Sequence, residues 1–145
     1  MACFERVTAW APPRQPASLK LTSNGTLATG AAQLGPIGET IAAVYLSRHG
    51  YRVLDRNVRT RRGEIDLVAR HGDELVFVEV KSWRRVPVEG LEHAVDRRKQ
   101  QRILSVARAY VARNADRCGG LRQRFDVILV RGGVVVHHVE GAFEG

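Results

Sequence analysis

Three residues in this chain stand in an arrangement that could do hydrolytic chemistry: Asp66, Glu79 and Lys81. They lie in Gly63-Glu-Ile-Asp-Leu-Val-Ala-Arg70 and Leu75-Val-Phe-Val-Glu-Val-Lys81, two runs rich in Val, Ile, Leu and Phe around the turn signal His71-Gly-Asp-Glu74. A two-residue loop at Gly72-Asp73 pairs His71 with Glu74. Counting back along both arms sets Asp66 opposite Glu79 and Glu64 opposite Lys81. Side chains alternate along a strand, so Glu79 and Lys81 share a face and Val80 points away.

Facing residues on an antiparallel pair have Cβ atoms about 5 Å apart. Two carboxylates at that distance repel by about 3 kcal/mol at an effective dielectric near 20. A proton, an ammonium group or a divalent cation must compensate. Lys81 offers one positive charge, and Mg²⁺ offers two while taking one or two carboxylates plus water and phosphate oxygens. The competing reading is a solvated charge ladder on an open sheet face, with Glu64–Lys81 as an ion pair of little energetic weight.

The elements that must position these groups read as follows. A helix begins near Leu34–Gly38 and runs to about His49, with Pro36 in its first turn, Glu39 close behind, and Ile37, Ile41, Val44 and Tyr45 on one face. Gly50 ends it. Strands are expected over Tyr51–Val58, Glu64–Arg70 and Leu75–Lys81, with Arg59-Thr-Arg-Arg62 as a basic turn. Ser82–Gly90 is a loop carrying Trp83, Arg84 and Arg85. A long helix follows over roughly Leu91 to Asn114, with Val95, Ile103, Val106, Ala107 and Tyr110 as its apolar stripe. Lys99 interrupts that stripe, which is uncommon unless the lysine snorkels or meets a carboxylate. Strands at Arg124–Val130 and Val134–Glu140 complete the chain. The third strand, long helix and fourth strand form a parallel crossover.

The chain has 145 residues, a single-domain length, with 44% hydrophobic and 26% charged residues. Residues 1–33 read as a disordered N-terminal tail and 34–145 as one domain. The balance of 23 Lys+Arg against 15 Asp+Glu, a net charge of +8, suits a polyanionic partner. Cys3 and Cys118 form no C-x-x-C motif. No secretory signal or membrane-spanning run is legible, so a cytoplasmic protein is expected, with no membrane partner. An aromatic content of 6% argues against a sugar-cleaving carboxylate pair.

This order, with Asp and then Glu-x-Lys on the next strand, resembles the PD-(D/E)XK restriction-endonuclease-like fold: an α/β protein with an αβββαβ core, a central mixed sheet flanked by helices, and here one extra C-terminal strand. More closely, Gly38-Glu39, Gly50-Tyr51, Arg56-Asn57, Gly63-Glu64-Ile65-Asp66-Leu67, Val76-Phe77-Val78-Glu79-Val80-Lys81, Ala94-Val95-Asp96, Lys99-Gln100 and Arg124-Phe125-Asp126 are similar to the bacterial UPF0102 family, also called YraN. The resemblance covers about Leu34 to Phe143. Ser82-Trp83 departs from the family, which has a basic residue soon after the lysine.

That resemblance implies a metal-dependent endonuclease acting on DNA, with structured or branched DNA as the substrate class. It implies Asp66, Glu79 and the Val80 carbonyl as ligands of Mg²⁺ or Mn²⁺, Lys81 as the catalytic lysine, Glu39 as an acid on the first helix, and Lys99 and Gln100 as a polar pair near the site. Arg59, Arg61, Arg62, Arg84, Arg85, Arg97, Arg98 and Arg102 would hold phosphates without reading sequence. Resolvase-like cutting of two strands would favour a homodimer. The alternative is a non-catalytic nucleic-acid-binding module that works through a protein partner. Asp126 is expected to be structural, and His137 and His138, on opposite faces of a strand, are poor joint metal ligands.

Overall fold

A strand buried on both faces must be apolar at every position, and Leu75, Val76, Phe77 and Val78 form such a run, each at most 1% exposed. They belong to the middle strand of a five-stranded sheet in the computed structural model, which describes residues 34–82 and 95–145. The elements are α1 (Leu34–Arg48), β1 (Arg52–Thr60), β2 (Gly63–His71), β3 (Glu74–Ser82), α2 (Arg97–Arg113), α3 (Ala115–Cys118), β4 (Arg122–Arg131) and β5 (Val134–Phe143). The spatial order of strands follows the sequence. β1, β2 and β3 are antiparallel, β4 lies parallel to β3 through the α2 crossover, and β5 returns antiparallel to β4. The expected α/β architecture with its added C-terminal strand is present. Among the described residues no helix is long and apolar enough to cross a membrane.

The β2–β3 register is the one that the Gly72-Asp73 turn dictates: His71 pairs with Glu74 and the ladder continues to Leu67 opposite Val78. Gly72 turns the chain at φ +59°, a conformation that favours glycine.

The sheet separates two apolar layers. On one side Val68, Phe77, Phe125, Val127 and Leu129 pack against Ile103, Val106, Ala107 and Tyr110 of α2. On the other, Leu67, Val76, Val78, Ile128 and Val130 pack against Ala42, Ala43 and Leu46 of α1. The α2 stripe is therefore the expected one, but the helix begins later. Asp96 is its N-cap and accepts a hydrogen bond from the Lys99 backbone N–H at 2.8 Å, so Val95 and Asp96 precede the helix. The predicted start at Leu91, the Ser82–Gly90 loop beyond Ser82, and the 1–33 tail lie outside the described residues.

The inward face of α1 differs from expectation. Ile37 and Val44 are 55% and 47% exposed, while Gly38, Ala42 and Leu46 are buried. Small residues win the inward face because α1 lies close on the sheet. A Cβ on Gly38 would fall 2.0 Å from Ser82 Oγ, at the end of β3 that carries Glu79 and Lys81. Gly38→Val should therefore push α1 off the sheet and cost about 1–2 kcal/mol, the scale of overpacking a filled site. Thermal unfolding measures this, and an unchanged melting temperature would show that the contact yields freely.

Candidate active site

Glu79 takes the position after the apolar run of β3, on the α2 side of the sheet, and is only 5% exposed. A lone buried carboxylate is costly. Two ammonium groups compensate it: Lys81 Nζ lies 2.9 Å from Oε1 and Lys99 Nζ lies 3.2 Å from Oε2. Of the two expectations for the lysine that interrupts the α2 stripe, the carboxylate partner is the one found. Its approach to Oε2 is off-angle, and that buried oxygen accepts no hydrogen bond among the described residues.

Asp66 is half-buried on β2. The β2–β3 ladder stops at Leu67–Val78, and the Asp66 side chain takes over from the main chain there, with Oδ2 accepting from the Val80 N–H at 2.7 Å. A strand residue's N–H and C=O point the same way, so the Val80 carbonyl also faces the gap where the ladder has ended. Burial, the neighbouring Glu79 charge and the more distant Glu39 push the Asp66 carboxyl up to about 6, against the Val80 N–H and Lys99, which pull it down. The expected repulsion between the two carboxylates is therefore present, although the ladder ends before Asp66 would pair with Glu79. The expected Glu64–Lys81 pair is not. β1 pairs Arg59 with Glu64, and Arg59 Nε lies 3.2 Å from Glu64 Oε2 at the surface, while Lys81 turns to Glu79.

Glu39 lies on the first turns of α1 and accepts a hydrogen bond from Asn57 Nδ2 at 2.8 Å. Asn57 is the only non-glycine residue with positive φ, +52°, among the described residues. It falls between the Arg56–Leu67 and Val58–Ile65 pairs of the β1–β2 ladder, across from Asp66. Asn tolerates this left-handed turn better than most residues, and the kink aims its amide at Glu39. Asn57 is a site residue that alternation along a strand does not reveal. The signals were an Asn inside an otherwise regular strand pattern and its place in the Arg56-Asn57 block of the resemblance.

The Gln100 side chain does not reach the carboxylates; its Nε2 donates to the Val95 carbonyl at 2.9 Å and fixes the start of α2. Arg97 and Arg98 are exposed on the first turn of that helix. With Lys99 they place three cations where the helix dipole favours anions, an arrangement unhelpful to helix stability. Arg59, Arg61, Arg62 and Arg102 line a hollow of about 610 Å³ together with Lys99 and Glu64. Trp83, Arg84 and Arg85 lie outside the described residues.

Among the described residues no three His, Cys, Asp or Glu side chains stand close enough together to hold a metal. The oxygens available to a hard cation are those of Asp66 and Glu79, including the orphaned Glu79 Oε2, with the Val80 carbonyl beside them. Two carboxylates, a carbonyl and water suit Mg²⁺, which keeps several waters and binds few protein groups.

Asp126, as expected, serves the fold. It is 1% exposed and accepts from Arg124, from His138 Nε2 at 2.9 Å and from the Gly141 N–H at 3.0 Å. Burial pushes its carboxyl up, but the hydrogen bonds from His138, Arg124 and Gly141 outweigh burial and hold it below the usual range. His137 is exposed and takes no part.

A mixed sheet with an acid on β2, an acid and a lysine on β3, and flanking helices is the core of a restriction-endonuclease-like α/β protein. Within that class the chain belongs to the family described as "Uncharacterised protein family UPF0102", whose sequence profile matches residues 38–130. It is 49% identical over 115 residues to a UPF0102 protein of Syntrophotalea carbinolica, covering 77% of this chain and 91% of that one. It is 44% identical over 121 residues to one of Anaeromyxobacter dehalogenans, covering 80% and 87%. It is 47% identical over 111 residues to one of Mesorhizobium japonicum, covering 77% and 86%.

Proposed function

We propose that this protein is a metal-dependent endonuclease that hydrolyses phosphodiester bonds in DNA, with structured or branched DNA as its substrate. One observation carries the reading: a buried Glu79, whose Oε2 accepts no hydrogen bond among the described residues, stands beside Asp66, whose carboxyl burial and the Glu79 charge push up to about 6. A mostly apolar strand gains no stability from such a pair, whereas a site for Mg²⁺ or Mn²⁺ requires it.

Asp66, Glu79 and the Val80 carbonyl would hold the cation, which when bound neutralises phosphate charge and lowers the pKa of bound water. Lys81, held by Glu79 at 2.9 Å, would orient the attacking water and stabilise charge developing on the phosphate. Lys99 shares that carboxylate and supplies a second positive charge at the same edge. Glu39, fixed by Asn57, adds negative charge beside Asp66 and can hold a water there. Arg59, Arg61, Arg62, Arg97, Arg98 and Arg102 hold the nucleic-acid backbone without reading bases.

The test is cleavage of labelled linear duplex, single strand, flap, splayed-arm and four-way-junction DNA in Mg²⁺, Mn²⁺ or EDTA, with Lys81→Ala run in parallel. Metal-dependent cutting that Lys81→Ala loses is the expected result. Tight binding without cutting in any metal would overturn it and favour a binding module that acts through a protein partner.

A further inference from the structure

Two adjoining hollows of about 610 and 1030 Å³ share Arg59 and Thr60 at the end of β1 and Arg61 and Arg62 of the turn that follows. They differ in what α2 contributes. The first takes Lys99 and Arg102, and the second takes Arg108 and Arg113 beside Ser105. Arg62 Nη1 reaches Ser105 Oγ at 3.4 Å and holds the turn against the helix. The two hollows make one furrow that begins at Lys99, which touches Glu79, and ends at Arg113. Fourteen helical steps at 1.5 Å each give a length of about 21 Å.

The charge in this furrow is concentrated and little compensated. Arg117, Arg122 and Arg124 are paired, with Asp55, with Asp73, and with Asp126, Glu74 and Glu140, and exposed arginines without an ion pair among the described residues, such as Arg48 and Arg131, lie outside the furrow. In the furrow, among the described residues, Lys99 at its head meets Glu79 and, of the arginines, only Arg59 has an acidic partner, Glu64. Arg61, Arg62, Arg102, Arg108 and Arg113 make no ion pair among the described residues, and Glu64 is the only acid lining either hollow. A row of guanidinium groups without acidic partners, about 21 Å long, can meet several successive phosphates of one strand. An anionic membrane surface would want apolar anchors beside the cations, and the furrow offers none larger than Ala109.

We propose that a nucleic-acid backbone leaving the Glu79–Lys99 site runs along the outer face of α2, with Arg108 and Arg113 as its distal contacts. The direction of travel rests on the nuclease reading, whereas the contacts themselves do not. The experiment is binding of an 18-base-pair duplex and a four-way junction in EDTA across a salt series, so that no cleavage enters. Arg108→Gln/Arg113→Gln is compared with Arg48→Gln/Arg131→Gln, which removes the same charge at exposed arginines outside the furrow. All four arginines are exposed, and a melting curve checks each fold.

The furrow variant should weaken binding about tenfold or more near 0.1 M salt and flatten the log–log salt slope by about 1.8, two contacts at about 0.9 each. The control pair should leave the slope in place. An unchanged slope in the furrow variant, or an equal loss in the control, would overturn the proposal. DNA cutting with an unchanged slope would sink the furrow alone. The predicted slope change without cutting in any metal would retain the furrow and sink the nuclease reading.

Discussion

Glu79→Gln is expected to abolish metal-dependent cleavage, by about 10²–10³-fold or more, while DNA affinity changes little. The loss has the scale of removing one group that stabilises transition-state charge. The substitution keeps the size of a side chain that is 5% exposed, so β3 and its apolar neighbours need not repack. It removes the charge that would hold a cation and the partner of two ammonium groups at 2.9 and 3.2 Å. Lys81 and Lys99 are then left beside the phosphate without their shared counter-charge, so binding should hold steady or tighten. The measurement is single-turnover cleavage beside equilibrium binding in EDTA on one substrate. Equal losses in both would move Glu79 from chemistry to binding. Full cleavage would remove it from the site.

What the sequence made legible was whatever depends on local counting. The Gly72-Asp73 turn fixes the β2–β3 register as far as Leu67–Val78, and alternation along β3 places Glu79 and Lys81 on one face, where they meet. The period of α2 singles out Lys99 as a charge facing inward, and it meets Glu79. Alternation failed where the main-chain ladder stops. Past Leu67–Val78 a side chain, Asp66, takes the Val80 N–H, so Glu64 is released to Arg59 and never meets Lys81. The face of α1 was misread because apolar size is a poor guide where backbones approach closely. Gly38 and Ala42 face the sheet while Ile37 and Val44 face outward. Asn57 and the α2 furrow depend on tertiary placement: a left-handed residue inside a strand, and arginines from two elements brought side by side. Neither is a pattern within one element.

Asp66→Asn should raise the stability of the metal-free protein at pH 8 by about 2–3 kcal/mol at most, while abolishing cleavage. The folded carboxyl titrates at about 6 against an ordinary value of 3.8, so the native state binds this proton more tightly than the unfolded chain does. Stability from that proton is fully present below about pH 4, falls as pH rises through about 6, and is absent above it. Asn cannot ionise, keeps an acceptor for the Val80 N–H, and escapes both burial of a charge and repulsion from Glu79. The melting temperatures of wild type and variant should therefore converge near pH 4 and separate by several degrees at pH 8. Saturating Mg²⁺ should reverse the order by stabilising only the wild type. An Asp66→Asn variant less stable than wild type at pH 8 without metal would mean that the ionised Asp66–Val80 hydrogen bond outweighs repulsion, and that the carboxylate serves the fold. A more stable but inactive variant would identify Asp66 as a charge that the fold tolerates for the sake of the site, a result that a solvated charge ladder cannot produce.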